Sequence, residues 1–504
     1  MDNFYYNLSG GINQASTKTE LGMNTKNIFW ADSKNIEILK NKGIIRQKGN
    51  KIFQSLPNSE NILAMKEIKS NAGSKLIIAT DEGSLYIYDE LSDFIKLDKT
   101  LNSTKVSFLE FLNGVIVYGD NDAMFYIRNN DNYEIFDCNL KNEDESPIYP
   151  EVVTSYKGRL WVAEGSTLYF SALGTFDDFE SENDAGYINN FYTDTHDITA
   201  LKTYKDYLAI YKEDEVYLLT GSNPGDFAIT PFADKGAYSA NSVITVNNKQ
   251  YFFSSGIYSL QVGELNQVML GSEITENIKE EFQSFDFKRK REIFAIDYKL
   301  KNQIWYFIPY RNDNYFHTIW INDIVNQAWY KRVLPQNITC ACIFENYILT
   351  ADNEGNIYRE DISNTFNGEA IEFMWKSPFL GLGNPTIRKT IDEFYFILDE
   401  TYENKFNFSV YKNFDSENHD DSEVIYSNNY ENLLWYKENS STEVHDTWPD
   451  DNENEGVWAL STESIYKAEI SEANYSVQLC IEGNKPEHNA AVIGIQFKEI
   501  YNED

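Results

Sequence analysis

The chain has 504 residues, too many for one ordinary compact domain. Hydrophobic residues make up 42% of it and include 35 Tyr and 32 Phe, a composition that favours strands around sizeable cores. Its 43 Lys and Arg against 79 Asp and Glu residues give a formal net charge of −36, which excludes a surface that wraps nucleic acid, because a polyanion needs a cationic footprint. Neither a secretory signal nor an apolar run of roughly 18 residues is visible, so we expect a soluble protein made in a cytoplasm.

Residues 1–58 are predicted to form an N-terminal arm. The arm opens with the polar, glycine-bearing stretch FYYNLSGGINQAS and ends in two short strands on either side of Lys42-Gly43. Its strands are too short and too few to bury an apolar face alone. The arm is therefore expected to pair with later parts of the chain.

Residues 59–361 contain a unit that recurs seven times. Each copy has a strand, a turn with Gly or Asn, a second apolar strand and then an aliphatic-aromatic pair. The copies span 74–88, 113–127, 157–171, 205–219, 248–260, 302–321 and 345–359. The aromatic members of the pairs are Tyr86, Phe125, Tyr169, Tyr217, Tyr258, Trp320 and Tyr358. Their separations of 39, 44, 48, 41, 62 and 38 residues are typical of a four-stranded propeller blade.

The apolar strands of these units support the same interpretation. LIIA, VIVY, LWVA, LAIY and IWYFI are continuous apolar runs, which suit strands that are covered on both faces, as when blades pack face to face. We predict an all-β protein with about seven blades, six or eight being possible, in which the seven aromatic residues serve packing. The alternative is a large irregular sandwich. A single helix is expected, at 273–282.

A ring of blades leaves no free sheet edge, and pairing the two ends of the chain is the usual way to close one. We therefore expect a strand within GIIRQKGNKIFQ, residues 43–54, to complete the last blade.

Residues 365–504 are predicted to form a small antiparallel β-sandwich. FYFIL, FNFSVY, YSVQLCIEG and AAVIGIQFKEIY are its strands. A polar, acidic insert at about 415–456 is interpreted as a solvated loop. Residues 450–456 have the ligand chemistry of a calcium loop, but the twelfth position is Thr462 instead of a bidentate Glu, so no metal site is predicted.

Several stretches, in this order, resemble the propeller-bearing tail nozzle and packaged-DNA stabilisation proteins of short-tailed bacteriophages. They are Gly10-Gly11-Ile12-Asn13, Gly43–Gly49, Ser171–Phe179 and Gly221–Phe227. The resemblance implies a structural virion protein at a tail or head-tail connector, in a ring that is most often hexameric. It also implies portal-adaptor or other tail proteins as neighbours, a role in DNA retention and ejection, and transient contact with the host envelope.

The sequence carries no signature of catalysis or of a bound cofactor. Its five histidines show no HExxH spacing, and it contains neither G-x-S-x-G nor a P-loop. The Asp-box of sialidases does not occur, although acidic pairs near a propeller axis could serve a glycosidase. Four scattered cysteines form no disulfide framework, and Cys340 and Cys342, two apart on a strand, are interpreted as core thiols more readily than as metal ligands. We expect no enzyme, cofactor or metal.

The cluster Lys288, Arg289, Lys290 and Arg291 stands out in so acidic a chain. It has two interpretations, an ordinary exposed loop before a strand or a patch that docks an acidic neighbouring subunit.

Two functions remain. The first is a virion ring around the DNA exit channel, whose carboxylates let DNA pass without specific binding. The second is a glycan-binding or glycan-cleaving propeller at a virion or cell surface, which needs exposed aromatic residues on one face. Trp161, Trp305, Trp320 and Trp329 lie in or near strands and are predicted to be core residues, which favours the virion ring.

Overall fold

A computed structural model describes residues 4–15, 28–70, 73–90, 93–130, 132–138, 140–141, 145, 147–189, 191, 196–263, 267–381, 386–399, 401–415, 419–426, 448–449, 455–456 and 463–502. The chain divides into two compact units. The smaller unit comprises Met1–Gln47, Ala328–Lys331 and Glu369–Asp504, and the larger comprises Lys48–Gln327 and Arg332–Gly368. The division follows Gln47 and Gly368, whereas the sequence predicts boundaries after 58 and before 365.

The first strands of the chain are short. They are β1 Phe4–Asn7, β2 Asp32–Lys34, β3 Ile36–Ile38, β4 Ile44–Arg46 and β5 Gly49–Ser55. The two strands predicted around Lys42-Gly43 are confirmed as β3 and β4, which pair antiparallel. Lys42 has a φ of 66°, the left-handed conformation that tight turns need.

The larger unit begins with four sheets, each made of four strands that pair in chain order. The first contains β6 Ile62–Ser70, β7 Gly73–Thr80, β8 Leu85–Asp89 and β9 Asp93–Lys96. The second contains β10 Val106–Phe111, β11 Gly114–Gly119, β12 Phe125–Arg128 and β13 Ile135–Asp137. The third contains β14 Val152–Tyr156, β15 Arg159–Glu164, β16 Thr167–Phe170 and β17 Gly186–Ile188. The fourth contains β18 Ala200–Tyr204, β19 Tyr207–Tyr211, β20 Val216–Thr220 and β21 Ala228–Ala233.

Three further sheets follow along the chain. The fifth contains β22 Ile244–Val246, β23 Lys249–Phe253, β24 Ile257–Val262 and β25 Val268–Leu270. The sixth contains β26 Phe294–Tyr298, β27 Gln303–Phe307, β28 Thr318–Asp323 and β29 Ala328–Val333. The seventh has the order β30-β31-β32-β5-β33-β34, with β30 Ile338–Phe344, β31 Tyr347–Asp352, β32 Asn356–Ser363, β33 Thr365–Phe366 and β34 Glu369–Ala370.

These sheets confirm the all-β class and a propeller-like arrangement of four-stranded antiparallel sheets. The predicted closing strand is also confirmed, because β5 of the arm pairs antiparallel with β32, with Ser55 opposite Asn356 and Lys51 opposite Arg359. The closing strand spans Gly49–Ser55, at the end of the predicted range and one residue beyond it.

Buried clusters lie between neighbouring sheets of the larger unit. One joins the first sheet to the second through Ile77 and Val117, and another joins the third to the fourth through Trp161 and Leu208. The first sheet also shares a cluster with the seventh, through residues that include Ile62, Ile78, Cys340 and Leu349. Each sheet in these clusters buries apolar residues against another, which explains why the second strands are continuous apolar runs.

The hairpins between first and second strands use left-handed backbone. The turns have positive φ at Leu112 and Asn113, at Lys157, at Lys205, at Asn247 and Asn248, at Asn302, and at Glu345 and Asn346. Such φ values match the twist of the flanking strands, and Asn adopts them at little cost. Left-handed backbone in this turn is therefore a repeated feature of the chain, and Asn247-Asn248 is one instance of it.

The smaller unit contains two main sheets. Its later strands are β35 Phe373–Lys376, β36 Lys389–Asp399, β37 Lys405–Lys412, β38 His419–Tyr426, β39 Trp448–Pro449, β40 Glu455–Gly456, β41 Glu463–Asn474, β42 Val477–Gly483 and β43 Ala491–Asn502. One sheet has the order β3-β4-β43-β36-β41, with β1 on β43, and the other has the order β2-β35-β42-β37-β38. The arm thus supplies strands to both sheets.

The predicted solvated loop at 415–456 is wrong for His419–Tyr426. These residues form β38, which pairs antiparallel with β37 as the second strand of a hairpin. Backbone pairing along β37 does not depend on apolar side chains, so a polar, acidic sequence forms this strand. Residues 450–454 and Thr462 of the considered calcium loop lie outside the described residues.

The helical segments are short and of the 3-10 type. They span Ser181–Asn183, Ala240–Ser242, Glu276–Gln283 and Phe287–Glu292. The helix predicted at 273–282 is therefore present from Glu276 onward, as a 3-10 helix. Among the described residues, no helix is both long and apolar enough to cross a membrane.

Candidate functional site

The seven predicted packing residues all lie on the third strand of a sheet in the larger unit or, for Tyr358, on β32. Five of them are at most 5% exposed: Tyr86, Phe125, Tyr217, Trp320 and Tyr358. Tyr169 and Tyr258 are half-buried. The aliphatic partner that precedes each aromatic residue is also buried. Because consecutive strand residues face opposite sides, both faces of these strands are covered.

The four tryptophans that the sequence analysis assigned to the core are at most 2% exposed, which confirms that prediction for Trp161, Trp305, Trp320 and Trp329. A glycan-binding surface would need exposed aromatic rings, and these four rings cannot supply it.

The basic cluster does not form a loop, as one interpretation expected, but lies in the 3-10 helix Phe287–Glu292. The Arg289 guanidinium pairs with Glu292 at 2.7 Å and donates to the carbonyl of Asp313 at 2.6 Å. Lys290 forms an ion pair with Glu213 and lies 5.0 Å from the centre of the Tyr238 ring. These side chains are therefore already paired within their own chain.

The other two members of the cluster differ from each other. Lys288 is exposed, whereas Arg291 is half-buried and close enough to Glu151 to influence its charge. Of the four basic side chains, only Lys288 is exposed.

Charged side chains gather where the first strands of several sheets begin. Glu151 precedes β14, and desolvation raises the pKa of its carboxyl group. Asp197 and Glu164 raise that pKa further, whereas Arg291 and Lys105 oppose the shift. Lys105, Glu151 and Asp197 stand just before the first strands of the second, third and fourth sheets, and Arg291 stands before that of the sixth.

The first strand of the third sheet, β14, contacts both β10 of the second sheet and β18 of the fourth. The charged residues that precede these three strands therefore lie in neighbouring parts of the larger unit. Sequence reasoning missed Glu151 and Asp197. Their position immediately before first strands was the available signal.

A convergence of charged side chains lies within the first strands themselves. Lys66 belongs to β6 of the first sheet and Lys202 to β18 of the fourth, yet Lys66 acts on Lys202. Desolvation, followed by repulsion from Lys66, lowers the pKa of Lys202 to about 8. Lys202 is nevertheless accessible to water. Both observations fit an ammonium group that faces a narrow, hydrated space lined by protein.

A buried ion pair secures the closing strand. Arg332 of β29 and Glu360 of β32 are 1% and 0% exposed, and their Nη2 and Oε2 atoms are 2.5 Å apart. The other Glu360 oxygen accepts hydrogen bonds from Asn50 of β5 at 3.0 Å and from Thr350 at 2.6 Å. Arg332 also donates to the carbonyl oxygen of Lys48 at 2.7 Å. The network links the sixth and seventh sheets to the arm strand.

Three thiols, those of Cys138, Cys340 and Cys480, are buried, and Cys342 is half-buried. Burial raises the pKa of Cys340 and of Cys480 to about 12, so both are thiols at neutral pH. No group of three or more His, Cys, Asp or Glu side chains among the described residues is placed to hold a metal ion. Cys340 lies in the buried cluster shared by the first and seventh sheets, and Cys342 packs against that cluster, so both side chains contribute to the core.

No protein-family model and no curated protein matches the chain. Among solved structures, the computationally designed Ika8 protein is similar at 11% identity and a TM-score of 0.37, over 62% of this chain and 100% of its own. The structure of YCF48 bound to D1 peptide is similar at 12% identity and a TM-score of 0.38, over 62% of this chain and 96% of its own. The N-terminal domain of Nup159 is similar at 11% identity and a TM-score of 0.40, over 65% of this chain and 97% of its own. These scores are too low to carry an argument about function.

Proposed function

We propose that the larger unit is a closed seven-bladed β-propeller. The first strands of successive sheets contact one another: β6 contacts β10, β10 contacts β14, β14 contacts β18, β22 contacts β26, and β26 contacts β30. The last of them, β30, contacts β6, and Thr339 Oγ1 donates to the Ile62 carbonyl at 2.6 Å. The helix Ala240–Ser242 contacts both β18 and β26 and bridges the remaining step.

The two main sheets of the smaller unit form, in this proposal, an antiparallel β-sandwich. Phe394 and Phe396 of one sheet meet Phe406 and Phe408 of the other, and the Phe396 and Phe408 ring centres are 4.7 Å apart. All four rings are buried, as the facing sides of a sandwich require.

We infer that the protein is a structural virion component of a bacteriophage tail or head-tail nozzle, which forms a ring around the DNA exit channel. The observation that carries this proposal is the structural role of the glycines in the resembling arm stretches. A Cβ atom added to Gly43 would lie 2.4 Å from the Val492 carbonyl oxygen, and one added to Gly49 would lie 2.0 Å from that of Thr365. The resembling stretch Gly43–Gly49 is thus fixed by close backbone packing, as a structural arm requires.

The mechanism that we propose is geometric and electrostatic. A hexamer, the number that the resemblance implies, would carry about −200 formal charges at −36 per chain. Carboxylates that face a channel between subunits repel DNA, so the polymer passes without binding. The same repulsion disfavours spontaneous ring closure. The isolated protein is expected to be a monomer that joins a ring on a template of tail or portal-adaptor proteins.

Sedimentation of the full chain at several salt concentrations, with and without double-stranded DNA, tests this proposal. We expect a monomer that does not bind DNA at physiological salt. Rings that are stable at low salt would overturn the template mechanism. Complexes with DNA that weaken as salt rises would overturn the repulsive channel. A soluble trimer that binds an oligosaccharide would instead favour the alternative, a glycan-binding propeller at a virion or cell surface.

A further inference from the structure

In the closed arrangement proposed above, the first strands of the seven sheets enclose a central space, which we call the axial space. Successive first strands contact one another from β6 to β18 and from β22 to β30, and β30 contacts β6. Six of these strands have a small residue at an exposed or half-buried position: Ser107, Ser155, Thr203, Thr245, Ala295 and Ala341. Small side chains leave room at the centre, so the axial space can hold water and a small solute.

Two lysines lie in the middle of first strands. Lys66 of β6 is opposite Ile77 of β7, and Lys202 of β18 is opposite Ala209 of β19. Ile77 and Ala209 are fully buried, whereas Lys66 is half-buried and Lys202 is exposed. The two strands belong to the first and fourth sheets, which are not neighbours in the ring. The two lysines therefore approach each other across the axial space.

The electrostatics of the two lysines agree with this placement. Desolvation lowers the pKa of Lys202, and Lys66 lowers it further. No carboxylate among the described residues opposes this shift. Asp297, on the first strand of the sixth sheet, is influenced by Lys299 and not by Lys202. Lys202 therefore meets a like charge at the centre of a unit that is rich in carboxylates.

Neither ammonium group has a partner among the described residues. Elsewhere in the larger unit, Lys75, Lys290 and Lys301 each form an ion pair with a carboxylate. Two unpaired cations in a partly desolvated space repel each other, which costs free energy. An anion between Lys66 and Lys202 would remove this repulsion and replace the hydration that both ammonium groups lose.

We infer that the axial space binds a small dianion of the phosphate class between Lys66 and Lys202. Lysine binds phosphate oxygens as a point charge, and two ammonium groups balance a dianion. The net charge of −36 repels anions from the protein as a whole, so the attraction has to come from this local pair. The inference rests on the closed arrangement of sheets and not on the virion function, because the proposed DNA channel lies between subunits.

Equilibrium dialysis of the full chain against radiolabelled inorganic phosphate, at about pH 7 and constant ionic strength in chloride, measures binding directly. Lys202 is protonated under these conditions, because its pKa is about 8. We expect phosphate to bind and to raise the urea midpoint above that in chloride of the same ionic strength. Adenosine 5′-monophosphate, measured in parallel, shows whether the space accepts a free ion or a phosphomonoester.

Three variants assign the binding to the lysine pair. Lys202→Met and Lys66→Met should each weaken phosphate binding about tenfold or more, because a contact with a charged donor is lost. Lys69→Met is the matched control, because Lys69 also lies on β6 but its side chain is 75% exposed and lies 3.8 Å from Glu67. This control changes the net charge equally and should leave phosphate binding unchanged.

Absence of binding by both phosphate and adenosine 5′-monophosphate at about 10 mM, or equal binding by the wild type and Lys202→Met, would overturn the inference. Equal weakening by Lys69→Met would also overturn it, because binding would then follow net charge. If Lys66→Met fails to fold, the other two variants decide the question. Failure to bind phosphate would leave the closed arrangement standing, since deletion of the arm tests closure independently.

Discussion

Removal of the Glu360 carboxylate should destabilise the larger unit more than the loss of any exposed ion pair. Glu360→Ala leaves Arg332 buried at 1% exposure without its charge partner, and it also removes the acceptor for Asn50 and Thr350. Breaking a buried pair on one side costs about 3–5 kcal/mol. We therefore expect the free energy of unfolding to fall by that amount.

Arg128 and Glu134 provide the matched control, because they form an Arg–Glu pair in the same unit at 2.8 Å, with both side chains 47% exposed. Glu134→Ala should cost at most about 1 kcal/mol. The double variant Arg332→Met/Glu360→Leu removes both buried charges at once and should recover most of the loss of Glu360→Ala.

Urea denaturation followed by tryptophan fluorescence measures all four proteins, since several tryptophans of the larger unit are buried. Limited proteolysis of the folded state reports in parallel whether the arm strand is released. If Glu360→Ala costs no more than Glu134→Ala, the ion pair does not secure the closing strand. If the double variant is as unstable as Glu360→Ala, packing and not the unpaired charge explains the loss.

Three further outcomes are expected. Deletion of residues 1–56 removes the closing strand and should give aggregated protein, so a monodisperse product in gel filtration would contradict closure. Tyr217→Ala should lower the free energy of unfolding by about 3–5 kcal/mol, measured by urea denaturation. Tyr169→Ala should lower it by less, because Tyr169 is only half-buried. Equal losses in the two variants would argue that burial is not the cause. Because the pKa of Lys202 falls from 10.5 to about 8, the unfolded state binds more protons between those pH values and stability should rise there. The urea midpoint of the wild type minus that of Lys202→Met should therefore increase with pH over this range. A difference that does not change with pH would place Lys202 in bulk water.

The repeated sheets could be predicted because their signal is local. Each second strand is an apolar run that begins after a turn, and GVIVYG of β11 is buried at every position. The spacing of aromatic residues then gave the repeat. The closing strand followed from a topological argument, since a ring of sheets has no edge to leave open. Neither inference needed knowledge of distant contacts.

The other features could not be predicted because they depend on pairing between residues far apart in the sequence. The sequence gives no local sign that Lys290 meets Glu213, 77 residues earlier, or that β4 pairs with β43 near the other end of the chain. The basic cluster therefore looked available when most of it is used internally. Likewise, the acidic residues of β38 did not predict a strand, because β38 forms by pairing with the edge of β37 and has no apolar pattern of its own.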